Sequence, residues 1–86
     1  MEAALDLNQL EESRPSFDVV ITTPGATVSE STVRAIARKH RVKLFSIAKR
    51  TPQRAHLRLA TASVYDIVVA FEAVGMEVVR VVASAR

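Results

Sequence analysis

Cationic side chains are the residues of this 86-residue chain whose type and spacing most readily suggest chemistry. One group surrounds the end of a predicted helix and the other flanks a predicted hairpin turn: Arg34, Arg38, Lys39, Arg41 and Lys43, then Lys49, Arg50 and Arg54. Such clusters neutralise backbone phosphates and give an affinity that depends on salt and not on base sequence. The turn group together with Arg58 therefore predicts an anion or nucleic-acid contact, with a plain solvated surface as the alternative.

A second candidate site is the loop Thr22–Thr27, which precedes a predicted helix. Backbone N–H groups at the start of a helix attract anions. Thr23, Pro24, Gly25 and Ala26 are therefore candidate ligand contacts, although a Pro-Gly pair is also an ordinary signal that ends a strand.

Catalytic and metal chemistry find little support in the residue types. His40 falls on the apolar stripe of a predicted helix or at its end, and His56 lies near Arg58, but no Ser, Asp or Glu is spaced to complete a triad with either histidine. Cysteine is absent, which excludes thiolate nucleophiles, disulfides, iron–sulfur clusters and Cys-based zinc sites. We expect no enzyme, no catalytic residue, no metal and no cofactor.

The charge of the chain is divided unevenly. The total is +3, but residues 1–16 hold four acids, namely Glu2, Asp6, Glu11 and Glu12, against Arg14 alone. The remaining residues, 17–86, are strongly basic, which favours anionic partners. No apolar run is long enough for a membrane span or has the form of a signal peptide, so we expect a cytoplasmic protein that does not bind membranes.

The elements that must position these residues follow from hydrophobic periodicity. Residues 1–16 form a predicted arm with helical spacing at Ala3, Ala4, Leu7 and Leu10, and its leucines could dock a partner, its own domain or a second copy. Residues 17–86 then form one domain. Periods of two and of 3.6 alternate along it in the order strand, helix, strand, strand, helix, strand, over 17–22, 28–40, 42–49, 54–60, about 63–74 and 76–83.

This order predicts an α+β, ferredoxin-like βαββαβ sandwich with two helices on a four-stranded antiparallel sheet. Thr27 with Glu30, and Ser63 with Asp66, have the form of capping pairs, and Gly75 should end the second helix. In the third strand Ala55, Leu57 and Leu59 should face the core.

One face of that sheet is left open by the helices. Strict alternation places Val20, Thr22, His56, Arg58, Val78, Arg80 and Val82 there, with either the Leu44 set or the Phe45 set of the second strand. This mixture is apolar enough to favour a homodimer or a docked arm. The expected interface residues are His56, Val78, Arg80 and Val82.

Residues 17–83 resemble an ACT-type regulatory domain, on the strength of Pro24 and Gly25 in the first loop and the helix-Gly-strand ending Ala70–Met76. The resemblance implies paired domains that bind an amino acid or similar effector near the first loop. We therefore expect a non-enzymatic regulatory module that binds a small ligand or protein partner through a dimeric sheet face. The alternatives are a small nucleic-acid-binding protein and a structural adaptor of a larger assembly.

Overall fold

The computed structural model describes residues 14–84, so nearly all of the predicted arm lies outside the described residues. Six elements follow one another: β1 Ser16–Thr22, α1 Glu30–Lys39, β2 Lys43–Thr51, β3 Arg54–Ala60, α2 Val64–Ala73 and β4 Glu77–Ala83. The strands form one antiparallel sheet in the order β2-β3-β1-β4. This arrangement confirms the predicted α+β, ferredoxin-like βαββαβ fold. Neither of the described helices is long and apolar enough to cross a membrane.

The core lies between the two helices and one face of the sheet. Its fully buried side chains come mainly from the two central strands and both helices: Val19, Ile21, Ala55, Leu57, Leu59, Val33, Ile67 and Phe71. The prediction that alternate residues of β3 face the core is therefore confirmed. Strands β1 and β3 are each paired on both sides, and their face opposite the core carries the candidate site.

The predicted capping box of α1 is wrong. Ser29, and not Thr27, is the N-cap, and its Oγ accepts a hydrogen bond from the backbone N–H of Thr32 at 3.2 Å. The reason is that Val28 is 1% exposed and donates its N–H to the carbonyl of Pro52 at 2.8 Å. This bond ties the segment before the helix to the β2–β3 turn, so the helix begins only at Glu30.

Both helices end in the same hydrogen-bonded motif. After α2, Gly75 has φ +88° and the N–H of Met76 bonds to the carbonyl of Phe71 at 3.1 Å, as predicted for a glycine stop. After α1 the same left-handed position is held by Arg41, at φ 57°. His40 is therefore the exposed C-cap of α1 and not part of its buried stripe.

The cap predicted for α2 is also wrong in detail. Ser63 is the N-cap residue but its side chain makes no capping hydrogen bond. Instead its backbone N–H donates to Oγ1 of Thr61 at 3.2 Å, which turns the chain before the helix begins.

Register shifts in both edge strands break the expected alternation. In β2 the pairing jumps between Leu44 and Ser46, so Phe45 is an extra residue and Leu44 and Ile47 both pair with core-facing leucines of β3. In β4 the pairing jumps around Val79, opposite the bond between Val20 and Ile21. Each jump is a β-bulge, which moves every later side chain of its strand to the other face.

Candidate anion-binding face

The open face of the sheet is defined by the register of its two central strands. On β1, Asp18, Val20 and Thr22 lie opposite three residues of β3, which are Arg58, His56 and Arg54 respectively. Residues directly opposite in antiparallel strands project to the same side. Since Val19, Ile21, Leu57 and Leu59 fill the core, these six side chains belong to the open face, as alternation predicted for most of them.

Strand β4 contributes two of its three expected residues to this face. Arg80 lies opposite Val20, and Val82 lies opposite Asp18. Val78 instead lies opposite the fully buried Ile21 and packs against the core. The placement of Val78 on the open face was therefore wrong, because the bulge at Val79 resets the alternation between Val78 and Arg80.

Strand β2 contributes small side chains and one arginine. Ser46 and Ala48 lie opposite Arg58 and His56, so neither the Leu44 set nor the Phe45 set supplies a large apolar side chain to this part of the face. A second shift in β2 between Lys49 and Thr51 allows Arg50 to line the face as well. The open face is consequently more polar than alternation predicts, which weakens the apolar argument for a sheet-to-sheet dimer.

The four cations predicted to act together are divided by the fold. Arg50, Arg54 and Arg58 share the open face, but Lys49 lies opposite the buried Ala55 and so belongs to the helix side. The turn between them, Pro52–Gln53, is also fixed, because the carbonyl of Gln53 accepts the N–H of Thr23 at 2.8 Å. The hairpin turn is therefore hydrogen-bonded to the end of β1 and does not project freely from the sheet.

The open face forms a shallow concavity of about 390 Å³ over the two central strands. Its basic side chains come from three strands and surround a small apolar floor: Arg50 from β2, His56 and Arg58 from β3, Arg80 from β4, with Val20 and Ala48 between them. Val20 is 9% exposed and His56 is half-buried, whereas the arginines are exposed. The concavity thus combines a small apolar floor with a cationic rim.

Asp18 is the one carboxylate among the described residues that line the concavity. Its Oδ1 accepts a hydrogen bond from Nε of Arg58 at 3.1 Å, and this bond is the main cause that lowers the pKa of Asp18 below its usual 3.8. Both side chains are about half exposed, so solvent screens the pair. Asp18 neutralises Arg58 alone, and the described residues supply no ion-pair partner for Arg50 or Arg80.

The loop predicted to contact a small ligand is exposed at Pro24, Gly25 and Ala26 and lines no part of this concavity. The N–H of Thr23 bonds to Gln53, and the N–H of Ala26 bonds to the carbonyl of Thr23 at 3.1 Å, while Pro24 has no N–H to donate. Gly25, at φ +73°, simply allows the turn. Most amides of Thr23–Ala26 are therefore already engaged within the protein.

The first basic group is also divided by the fold. Arg34 and Arg38 occupy the outer surface of α1, where Arg34 is 4.0 Å from Glu30. Lys43 instead lies opposite Ala60, on the same side of the sheet as Arg58, and is 5.9 Å from the ring of Phe45. Among residues 14–84 no group of three or more His, Asp or Glu is close enough together to hold a metal ion.

Sequence reasoning missed the contact between Asp18 and Arg58 and the role of Ser46 and Ala48 as small residues that leave the face concave. The pairing of Asp18 with Arg58 needed the register of β1 on β3, which alternation alone does not supply. Comparisons of the chain with family models, curated proteins and solved structures find no match.

Proposed function

We propose that this chain is a non-enzymatic binding module whose open sheet face binds an anionic group of a small ligand. One observation carries the proposal: Arg50, His56, Arg58 and Arg80, from three different strands, converge on a single concavity that holds one carboxylate. A rigid sheet can keep such side chains near one position without ordering a loop, which lowers the entropic cost of binding.

The chemistry of the concavity favours a particular kind of ligand. Guanidinium groups bind carboxylates and phosphates through paired N–H donors, and these contacts strengthen when water is partly excluded. Val20 and Ala48 offer an apolar floor, so a ligand with a short apolar body can bury it there while its anionic group meets the rim. The volume of about 390 Å³ lies within the range of about 300–1,000 Å³ that is typical of small-molecule sites.

A regulatory role of the kind that an ACT-type domain performs is compatible with this site, but we propose a different location for the ligand. Two of the three amide N–H groups of Thr23–Ala26 are engaged within the protein, whereas the sheet face offers Arg50 and Arg80, for which the described residues supply no ion-pair partner, beside an apolar floor. We therefore propose the sheet face, and not the first loop, as the effector site.

Calorimetry and thermal unfolding with small organic anions test the proposal. A ligand at one hundred times its dissociation constant stabilises the folded state by about 2.7 kcal/mol. Arg80→Gln should weaken binding because it removes a rim cation, whereas Arg38→Gln, which removes the same charge from the outer surface of α1, should not. Equal weakening by both variants would show that only net charge matters, and the absence of any response would favour the structural adaptor.

Nucleic acid is a second candidate because Arg50, Arg54 and Arg58 continue along the open face to the hairpin end of the sheet. Fluorescence anisotropy with a labelled single strand across a salt series tests it. Three phosphate contacts predict a slope of log K against log salt of about −2. No binding at low salt excludes this candidate, since electrostatic affinity is strongest there.

We also propose that the chain forms a homodimer, which is tested separately from the anion site. Strand β4 is an edge strand with exposed Val79, Val81 and Val82, and an exposed apolar edge can pair with a second copy. Light scattering over a concentration series should show a mass that doubles. A monomer at all concentrations would contradict the dimer but would leave the anion site unaffected.

A further inference from the structure

The helix layer carries an exposed apolar stripe that the fold does not use. Tyr65 and Val69 lie one helical turn apart on the outer side of α2, and they are 73% and 44% exposed. The buried side of the same helix is formed by Ile67 and Phe71. Tyr65 and Val69 therefore add nothing to the core, and their exposure leaves apolar surface in water.

The neighbouring helix carries a basic stripe. Helix α1 packs next to α2 on the same face of the sheet, and Arg34 and Arg38 stand one turn apart on its exposed side. Arg34 lies 4.0 Å from Glu30, whereas the described residues give Arg38 no ion-pair partner. The exposed surface of the helix layer therefore carries an apolar stripe on α2 and a cationic stripe on α1. An amphipathic segment with acidic flanks has the complementary chemistry.

The amino-terminal segment of this chain has that composition. Residues 1–12 place Ala3, Ala4, Leu7 and Leu10 at helical spacing and hold all four acids of the segment: Glu2, Asp6, Glu11 and Glu12. A twelve-residue helix is about 18 Å long, which is close to the length of about 15 Å of the ten-residue α2. Segment and surface therefore match in length, in apolar content and in charge.

The place where the described chain begins supports the same occupant. Nη1 of Arg14 donates a hydrogen bond to the backbone carbonyl of Arg41, just beyond the end of α1. Arg14 also lines a groove of about 240 Å³ that reaches Ser63, Asp66 and Ile67 at the start of α2. The chain thus enters β1 from the helix layer, next to the turn of α2 that carries Tyr65.

From these observations we propose that residues 1–12 dock in cis on the outer surface of the helix layer. The apolar side of the segment covers Tyr65 and Val69, and its carboxylates lie near Arg34 and Arg38. Arg14 acts as the anchor that fixes the point of entry. The open sheet face is left free for its ligand, so the proposal does not depend on the anion site.

Site-directed spin labelling of the full-length chain tests this proposal, because the protein has no cysteine of its own. Leu5 lies off the stripe formed by Leu7 and Leu10, so a nitroxide attached to Leu5→Cys leaves the apolar side intact. The label should broaden the amide signals of Tyr65 and Val69 and spare those of His56 and Arg80. Broadening confined to the open face, or absent from the whole domain, would overturn the proposal.

Two controls separate docking in cis from its alternatives. Adding Leu7→Asp to the labelled chain should abolish the broadening at Tyr65, since it places a charge on the apolar side of the segment. Broadening that persists unchanged in that variant would contradict the proposed contact. A mixture is then prepared from spin-labelled chains at natural isotope abundance and ¹⁵N-labelled chains without a nitroxide. Docking in cis predicts no broadening of the ¹⁵N-labelled chains. Broadening in the mixture would assign the segment to a second copy and overturn the proposal.

Discussion

Asp18 on β1 and Arg58 on β3 lie directly opposite each other in the sheet and are joined by a 3.1 Å hydrogen bond between Oδ1 and Nε. This cross-strand pair occupies one side of the open-face concavity and compensates one of its cations. Because the pair is exposed to solvent, its contribution to stability is small. Its larger effect is on the site, where it holds Arg58 in place and leaves Arg50 and Arg80 as the cations available to a ligand.

The first prediction concerns the titration of Asp18. The hydrogen bond from Arg58 lowers its pKa in the folded state, so the stability that Asp18 contributes is present above pH 3.8 and is lost as the pH falls through the lowered value. Carboxyl-detected NMR titration should therefore find Asp18 more than half ionised at pH 3.8. In Arg58→Gln the pKa should rise towards 3.8, and an unchanged titration in that variant would show that Arg58 is not the cause.

The second prediction concerns the end of α1. Arg41 holds a left-handed conformation, which costs a residue with a Cβ roughly 1–2 kcal/mol. Glycine avoids this strain, but its greater conformational entropy in the unfolded state offsets part of the gain. Arg41→Gly should therefore raise the free energy of unfolding by about 0.5–1 kcal/mol. Chemical denaturation measures the gain. Arg41→Ala, which removes the same side chain but keeps a Cβ, should give no comparable gain, and equal stabilisation by both would contradict the conformational explanation.

The third prediction concerns the core. Phe71 is 1% exposed, and Phe45 is 49% exposed at the bulge of β2. Phe71→Ala should lower the free energy of unfolding by about 3–5 kcal/mol, because it removes buried surface and leaves a cavity. Phe45→Ala deletes the same atoms from an exposed position and should cost much less. Similar losses in urea titrations of the two variants would mean that the assignment of Phe45 to the surface is wrong.

The fourth prediction tests the bulge in β2. The register places Leu44 and Ile47 on the helix side although two residues lie between them, a spacing that puts side chains on opposite faces of a regular strand. Leu44→Ala and Ile47→Ala should each lower the free energy of unfolding by about 1–2 kcal/mol, since both side chains are partly buried against the core. Ser46→Ala should be close to neutral. A regular strand without the bulge predicts that only one of the two larger residues matters.

Sequence periodicity was sufficient for the order of the elements, the buried alternation of β3 and the Gly75 stop, because each depends on residues close together in the chain. The N-terminal caps of the helices were harder to predict from the sequence. Thr27 satisfies the local capping pattern as well as Ser29 does, and the choice depends on the bond between Val28 and Pro52, which lie far apart in sequence. Tertiary contacts thus decided between two equivalent local signals.

The candidate site could be predicted only in part for a related reason. His56, Arg58 and Arg80 were correctly assigned to the open face. Val78 was wrongly placed on that face, and Lys49 was wrongly grouped with Arg50, Arg54 and Arg58, because both residues lie on the helix side of the sheet. A bulge adds one residue to a strand without any distinctive residue type at Phe45 or Val79. Periodicity therefore places the residues on one side of a bulge correctly and misplaces those on the other side, as with Arg80 and Val78 in β4.

The central claim, that the concavity of the open face binds an anionic ligand, is tested most directly by amide chemical-shift mapping. A ¹⁵N-labelled chain is titrated with a small organic anion such as citrate at low salt. We expect saturable shift changes that cluster at Val20, Ala48, His56 and Arg80 and that are lost in Arg80→Gln but kept in Arg38→Gln. Changes centred on Thr23–Ala26, or no saturable change at any residue, would contradict the claim.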